Sequence, residues 1–235
     1  MTDNYEDFPR KKRNGSEGFT LVEVLVAVLI FSLVITGLAA IYATSQRYLS
    51  QSFKQNLIKG EIAMAAKTVT RALNLATRID SPASGQEGDT LAFAVNIAED
   101  GCRPMVSGPP TEWYYFCAKS KGVISGIPRG DLYMHSGSVT DVVACPANSP
   151  TSITYSVGSC GDSSGKLILK DMSCDPVSGC NWVKRNAPDG EGANDIKIKL
   201  TVEKNPSATE SFSPFKTSAE TVIHVGMPTL ATVGS

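Results

Sequence analysis

Several features that commonly direct a function are missing from this sequence. The formal net charge is -1, which favours neither a disordered chain nor a polyanionic partner. There is no phosphate-binding loop, no cluster of metal ligands and no basic face with interleaved aromatic residues. We therefore expect no enzymatic activity, no cofactor and no nucleic-acid partner.

Cysteine, proline and charge are each absent from long parts of the chain. No cysteine precedes Cys102, and no proline occurs in residues 44–80. In residues 19–43, 20 of 25 residues are apolar and Glu23 is the only charged one. At about 1.5 Å per residue, a helix of this length spans a hydrocarbon core of about 30 Å. The segment is therefore predicted to cross a membrane.

A basic block precedes the apolar segment and predicts its orientation. It consists of Arg10, Lys11, Lys12 and Arg13. Because basic residues beside a membrane segment stay in the cytoplasm, we expect one pass through the inner membrane, with a cytoplasmic N-terminus and a periplasmic head. A cleavable signal peptide, cut in GLAAIYA around Ala40, is an alternative, although the apolar run is longer than such peptides require. A plain anchor with an incidental Glu23 is another.

Glu23 is unusual, because a charge near the centre of a bilayer costs about 2.5 to 3.5 kcal/mol. The residues around it read GFTLVE at positions 18–23, after a basic leader. This pattern resembles the class III signal of type IV prepilins and type II secretion pseudopilins. The resemblance implies cleavage between Gly18 and Phe19 by a membrane prepilin peptidase, followed by N-methylation of Phe19.

The resemblance also implies a role for Glu23. In these families the subunits leave the bilayer and pack their apolar helices into a filament core, where this carboxylate pairs with the amino terminus of a neighbouring subunit. An unpaired buried charge is strongly destabilising, so the pair would fix the register of assembly. The implied partners are other minor and major pilins through the N-terminal helix, the prepilin peptidase and an inner-membrane assembly platform.

The helix is predicted to continue beyond the membrane. Apolar residues recur at spacings of three and four and form one stripe: Ile58, Ile62, Ala65, Val69, Leu73 and Ala76. We expect the helix to run from Phe19 to about Arg78 and to stop at DSPASGQEG; a soluble coiled coil is the alternative. The predicted domains are a cleaved leader (1–18), a transmembrane or filament-core helix (19–43), its amphipathic continuation (44–80) and a globular head (81–235).

The head is predicted to be rich in β-structure. Short runs of β-branched and aromatic residues alternate with clusters of Gly, Pro, Ser and Asn: TLAFAVNI, TEWYYFCA, SITYSV, KLILK and TVIHV. In DIKIKLTVEK, Ile196, Ile198, Leu200 and Val202 share one face, as expected for an antiparallel sheet. The expected fold class is α+β and pilin-like, with the sheet packed on the second half of the helix.

All six cysteines lie in the head, and none forms a C-x-x-C pair. An even set of this kind predicts disulfides in an oxidising compartment. Fifteen pairings exist in principle, and free cysteines or a metal site are the alternatives. We expect the sequence-local pairing, which joins Cys102 to Cys117, Cys145 to Cys160 and Cys174 to Cys180.

Three shorter motifs have functional meanings in other proteins, and a plainer explanation is favoured for each. Ser163 lies in a G-x-S-x-G pattern, but a strand-like run follows it, and only His135 and His224 are available as bases. RGD at 129–131 is too short to predict adhesion. EWYYF at 112–116 fits alternating burial in a strand better than an exposed partner surface.

The acidic run APDGEGANDI offers four oxygen ligands for calcium. They are Asp189, Glu191, Asn194 and Asp195. Their spacing does not follow a regular calcium loop, so a solvated turn is favoured and calcium is the alternative.

Together these features resemble a minor type IV pilin, and the size and cysteine content of the head are similar to the PilW-type members. Many major pilins carry a proline well into the apolar helix, where this chain has TGLAAIYA with Gly37 as its only helix breaker. The implied function is structural: the subunit helps to prime pilus assembly, at or near the tip of an extracellular pilus. The alternatives are a minor pseudopilin of a type II secretion system and a tip-displayed adhesin or DNA-uptake pilin.

Overall fold

The computed structural model describes residues 18–98, 101–124, 126–140, 142–145, 153–187, 195–204 and 215–224. The chain divides into two units, the first ending at Ser52 and the second beginning at Phe53. A long helix, α1 (Leu21–Leu73), supplies residues to both units. The strands that the structure describes all lie in the second unit.

The strands form two antiparallel sheets. The five-stranded sheet has the order β1-β3-β4-β5-β6 and consists of β1 (Ala76–Ser81), β3 (Thr90–Val95), β4 (Glu112–Ile124), β5 (Ile127–Ser138) and β6 (Lys166–Ser173). The four-stranded sheet has the order β2-β7-β8-β9 and consists of β2 (Glu87–Gly88), β7 (Val183–Arg185), β8 (Asp195–Lys204) and β9 (Phe215–His224). Buried residues of both sheets and of α1 form one hydrophobic core. The expected α+β fold, with a long helix packed on antiparallel sheets, is thus confirmed.

In the first unit, the helix is apolar and its residues 21–50 are exposed. Its hydroxyl side chains bond back to carbonyl oxygens one turn earlier: Ser32 Oγ to Val28 O (2.7 Å), Thr36 Oγ1 to Ser32 O (2.9 Å) and Thr44 Oγ1 to Ala40 O (2.8 Å). Such bonds satisfy a hydroxyl that has no water beside it. This helix is long and apolar enough to cross a membrane.

In the second unit, the predicted apolar stripe is the buried face of α1. Ile58, Ile62, Ala65, Val69 and Leu73 are all buried. Ala76, the last predicted member, is also buried but belongs to β1. Because the helix ends at Leu73, the prediction that it continues to about Arg78 is wrong.

Long-range contacts explain why the chain becomes β1 at this point. Thr77 and Ile79 are β-branched, which suits a strand. The Thr77 hydroxyl donates to Ile97 O (2.6 Å) and accepts from Ile97 N–H (2.9 Å), and β1 pairs with β3. Helix propensity is a weak local preference, and these distant partners override it.

Most of the predicted strands are present, with one exception. DIKIKLTVEK is β8, and its four predicted inward residues are buried. SITYSV is not a strand over its described residues, 153–157. Its Tyr155 ring lies instead 5.8 Å from the ring of Trp113 and 6.0 Å from that of Tyr115.

The aromatic run EWYYF in β4 is packed on both faces of the sheet. Tyr114 and Phe116 face the core, where their rings lie 5.4 Å and 6.1 Å from that of Phe93. Trp113 and Tyr115 alternate with them and therefore face the other side, where Tyr155 covers them. The run thus serves packing, as expected from strand alternation.

Three disulfides hold loops of the head, but two of the expected pairings are wrong. The structure joins Cys102 to Cys145, Cys117 to Cys160 and Cys174 to Cys180, and of these only the third is the sequence-local pairing.

Neighbouring backbone explains both corrections. Arg103 N–H donates to Val143 O (2.8 Å) and Cys145 N–H donates to Arg103 O (3.2 Å), which brings Cys145 beside Cys102. Cys117 shares its face of β4 with Trp113 and Tyr115, and the segment that covers those rings continues directly to Cys160. Loop-closure entropy favours disulfides between cysteines that are close in sequence, because a short loop costs less entropy to close. Here the pairing of strands and neighbouring backbone segments decides instead which cysteines meet.

Candidate functional site

The segment GFTLVE starts α1 with a capping box. Gly18, Phe19 and Thr20 precede the helix, which begins at Leu21. The Glu23 carboxylate accepts hydrogen bonds at Oε2 from the backbone N–H of Thr20 (2.9 Å) and from the Thr20 hydroxyl (2.9 Å). The backbone N–H of Glu23 points back to the Thr20 hydroxyl oxygen at 3.3 Å. Thr20 is thus the N-cap and Glu23 the third helical residue, the reciprocal arrangement of a capping box.

Sequence reasoning missed this local role of Glu23. The available signal was Thr-x-x-Glu directly before an apolar run, which is a signature of a helix N-terminus. Only Oε2 accepts the capping bonds, and Oε1 has no hydrogen-bond partner among the residues that the structure describes. Glu23 therefore caps its own helix and keeps one carboxylate oxygen for a further donor.

The peptide bond between Gly18 and Phe19 lies outside the helix and is accessible. The Phe19 side chain is 86% exposed, and a Cβ added to Gly18 would meet no atom within 4 Å. This position offers a peptidase an exposed, non-helical bond. The basic block formed by residues 10–13 lies outside the described residues.

Large apolar side chains surround the first part of α1. From Phe19 to Leu49 they are all exposed, with exposed fractions between 47% and 86%. A soluble monomer rarely exposes an apolar surface of this extent, which marks a membrane or protein interface. The segment therefore needs lipid or other apolar helices around it.

The G-x-S-x-G pattern forms a turn that leads into β6. Ser163 is exposed, whereas Ser164 lies with its Oγ 3.1 Å from Nδ1 of the buried His135. The Ser164 hydroxyl donates to Asp162 Oδ1 (2.6 Å), and this oxygen is 3.7 Å from the same Nδ1. Hydrogen bonds from the hydroxyl and N–H of Ser164 lower the pKa of Asp162 to about 2. In a catalytic triad one imidazole nitrogen faces the serine and the other faces the carboxylate. Here Ser164 and Asp162 both lie beside Nδ1 of His135, so the cluster lacks the geometry of a triad.

The side chain of His224, the other candidate base, lies outside the described residues.

The RGD tripeptide is buried in β5. Arg129 and Asp131 have only 6% and 8% of their surface exposed. The Asp131 carboxylate accepts hydrogen bonds from the backbone N–H of Asp171 (2.9 Å) and from the Lys121 ammonium (3.3 Å). An adhesion tripeptide must present both of its charges to a receptor, so these residues support the sheet instead.

The acidic run is described only at its end, where Asp195 begins β8. Asp189, Glu191 and Asn194 lie outside the described residues. Within the part of the chain that the structure describes, no group of three or more His, Cys, Asp or Glu residues is placed to hold a metal ion. The solvated turn expected at this run stays a prediction.

Comparison with known proteins identifies the N-terminal segment. The family model of the prokaryotic N-terminal methylation motif matches residues 13–39, which include Gly18, Phe19 and Glu23. No curated protein and no solved structure matches the chain. Proteins with this motif have structural rather than enzymatic roles, and the motif with its apolar helix supports anchoring in a membrane. The chain therefore carries the class III signal peptide of type IV pilins, which supports a type IV pilin or pseudopilin-type protein.

Proposed function

We propose that this protein is a minor type IV pilin, a structural subunit that helps to prime assembly of the pilus and lies at or near its tip. It is inserted in the inner membrane with its N-terminus in the cytoplasm, cut after Gly18, methylated at Phe19 and then drawn into the filament. The observation that carries the proposal is the methylation motif at residues 13–39 on a helix whose apolar surface is exposed.

The geometry of Glu23 supports its role in this assembly. Its Oε2 is held by Thr20 of the same chain, which fixes the orientation of the carboxylate. Its Oε1 accepts no hydrogen bond from any residue that the structure describes. In a filament core the amine of a neighbouring Phe19 would bind at Oε1 and offset part of the cost of burying the charge. One carboxylate thus serves the subunit and its neighbour together.

The experiment is to image fibres and to locate a tagged copy in a deletion strain that carries wild-type or variant protein. We expect few or no fibres in the deletion strain, rescue by the wild type, and no rescue by Glu23→Ala, because an unpaired amine in the filament core costs about 3 to 5 kcal/mol. Glu61→Ala is the matched control, since Glu61 is an exposed glutamate on the same helix beyond the apolar segment. It should restore fibres fully.

Two results would contradict the proposal. If Glu23→Ala assembles as well as Glu61→Ala, the account of Glu23 is wrong. If the deletion strain keeps a normal number of fibres but loses attachment, the protein is an adhesin rather than a priming subunit.

The same motif and helix also support a minor pseudopilin of a type II secretion system. Neighbouring genes distinguish the two: a retraction motor indicates a pilus, whereas a secretin-linked secretion apparatus indicates a pseudopilus. Loss of secreted enzymes with normal pili in the deletion strain would favour the pseudopilin.

A further inference from the structure

A second row of exposed residues follows α1 beyond its apolar segment, on the side of the helix roughly opposite the buried stripe. Its members are spaced alternately by four and three residues, which places them on one side of a helix. We call this row the outer face of the helix. It consists of Phe53, Leu57, Gly60, Met64, Lys67 and Arg71, and every member is exposed.

The first half of the outer face is apolar. The side chains of Phe53, Leu57 and Met64 are 65%, 53% and 65% exposed. Between them, a Cβ added to Gly60 would meet no atom within 4 Å, so packing within the head does not require this glycine. Glycine weakens a helix relative to alanine, but it lets another helix approach closely. Single exposed apolar residues are common, whereas an aligned row of them is typical of a helix that packs against a partner.

The second half of the outer face is cationic. Lys67 lies about one turn after Met64, and Arg71 lies about one turn after Lys67. Neither cation forms an ion pair within 4.0 Å with any residue that the structure describes. Arg71 is in the last turn of the helix, where a cation interacts favourably with the helix dipole. Lys67 precedes that turn, so it is the cation that is best placed to pair with another chain.

The charges of this helix argue against a second copy of the chain as the partner. The outer face carries two cations and no carboxylate, so a copy packed on it in either direction would offer no acid to Lys67. The rest of residues 53–73 adds Lys54 and Lys59, against Glu61 as the one acid. Like charges on facing helices repel each other. The partner therefore differs from this chain and bears carboxylates.

We propose that the outer face packs against an amphipathic helix of a different subunit, which places an Asp or Glu opposite Lys67. Apolar side chains of that helix lie on Phe53, Leu57 and Met64. The apolar half provides the contact area, and the charge pair selects the partner and its register. This inference rests on the proposed function, because it specifies the kind of subunit that lies beside this one in the filament.

The test is photo-crosslinking in living cells from the full-length protein, with p-benzoylphenylalanine in place of Leu57. We expect an adduct with another subunit that carries an N-terminal methylation motif, identified by mass spectrometry of the purified adduct. The matched control places the same group at Lys59, which is exposed on the same helix but outside the outer face. The control should not give this adduct.

A charge reversal tests the expected ion pair. Lys67→Glu should lower the yield of the Leu57 adduct roughly fivefold, because an attraction across the contact becomes a repulsion. Lys59→Glu is the matched control and should leave the yield unchanged. A lysine in place of the partner's carboxylate should restore the yield to Lys67→Glu. Lys59 and Lys67 are both exposed, so neither variant alters the core.

Three outcomes would overturn the inference. The first is an adduct of this chain with a second copy of itself. The second is the absence of a protein adduct, including the case in which lipid is the only product. The third is an equal yield from Lys67→Glu and Lys59→Glu. If one of them occurs while fibres depend on Glu23 as expected, the inference fails and the proposed function stands.

Discussion

The Gly18→Val protein is expected to keep residues 1–18 and to be absent from filaments. We expect a peptidase site that is shaped for Gly18 to reject a larger residue, because one extra methylene in a fitted pocket changes the rate by factors of roughly 10 to 200. The fold gives no other reason for a defect, because a Cβ at Gly18 meets no atom within 4 Å. The measurement is the size of the protein in membranes, by immunoblot against the wild type.

Gly60→Val is the matched control for this variant. Gly60 is an exposed residue of the same helix, and a Cβ there also meets no atom within 4 Å. We expect normal removal of the leader from it. Normal processing of Gly18→Val would show that the Gly18–Phe19 bond is not the specific cleavage site. Loss of processing in both variants would show that the defect is not specific to Gly18, which would also contradict the prediction.

Removal of the Cys117–Cys160 disulfide is expected to lower the free energy of unfolding by about 3 to 4 kcal/mol. The two cysteines are 43 residues apart, and chain entropy makes the contribution of a bridge grow with the loop that it closes. The bridge also anchors the segment whose Tyr155 covers Trp113 and Tyr115. Since a domain has only about 5 to 15 kcal/mol of stability in total, the double serine variant should lose a large fraction of it.

Urea denaturation of the full-length protein in detergent, followed by tryptophan fluorescence, measures this effect. Trp113 and Trp182 both lie in the head, so the signal reports on that unit. The matched control is the serine variant of Cys174 and Cys180, whose separation is only 6 residues and whose bridge is expected to contribute about 2 kcal/mol. An equal or larger loss in the control would contradict this account of the two bridges.

The parts of the fold that were predictable from sequence are those with a local pattern. The three-and-four spacing from Ile58 to Leu73 is the buried face of the helix, and alternation in residues 195–204 is β8. The helix end was not predictable in this way, because Thr77 takes its partner from Ile97. The connectivity of Cys102 and Cys117 also depends on segments that meet only after the sheet has formed.

The candidate site divides in the same way. The cleavage and methylation motif is contiguous, so its residues were recognisable. The Thr-x-x-Glu signature of the capping box is equally local, although sequence reasoning missed the role of Glu23 in it. A polar cavity in the head, beside the turn that Cys174 and Cys180 close, was not recognisable, since its lining comes from distant parts of the chain such as Glu87, Asn181 and Lys199. No spacing in the sequence relates those three residues.

The most direct test of the central claim is the N-terminal residue of the protein in a purified filament fraction, determined by mass spectrometry of the terminal peptide. The account predicts a chain that begins with N-methylphenylalanine at position 19 and is present among the filament subunits. A chain that begins at Met1, or one cut near Ala40 as a secretory signal peptide would be, would contradict it.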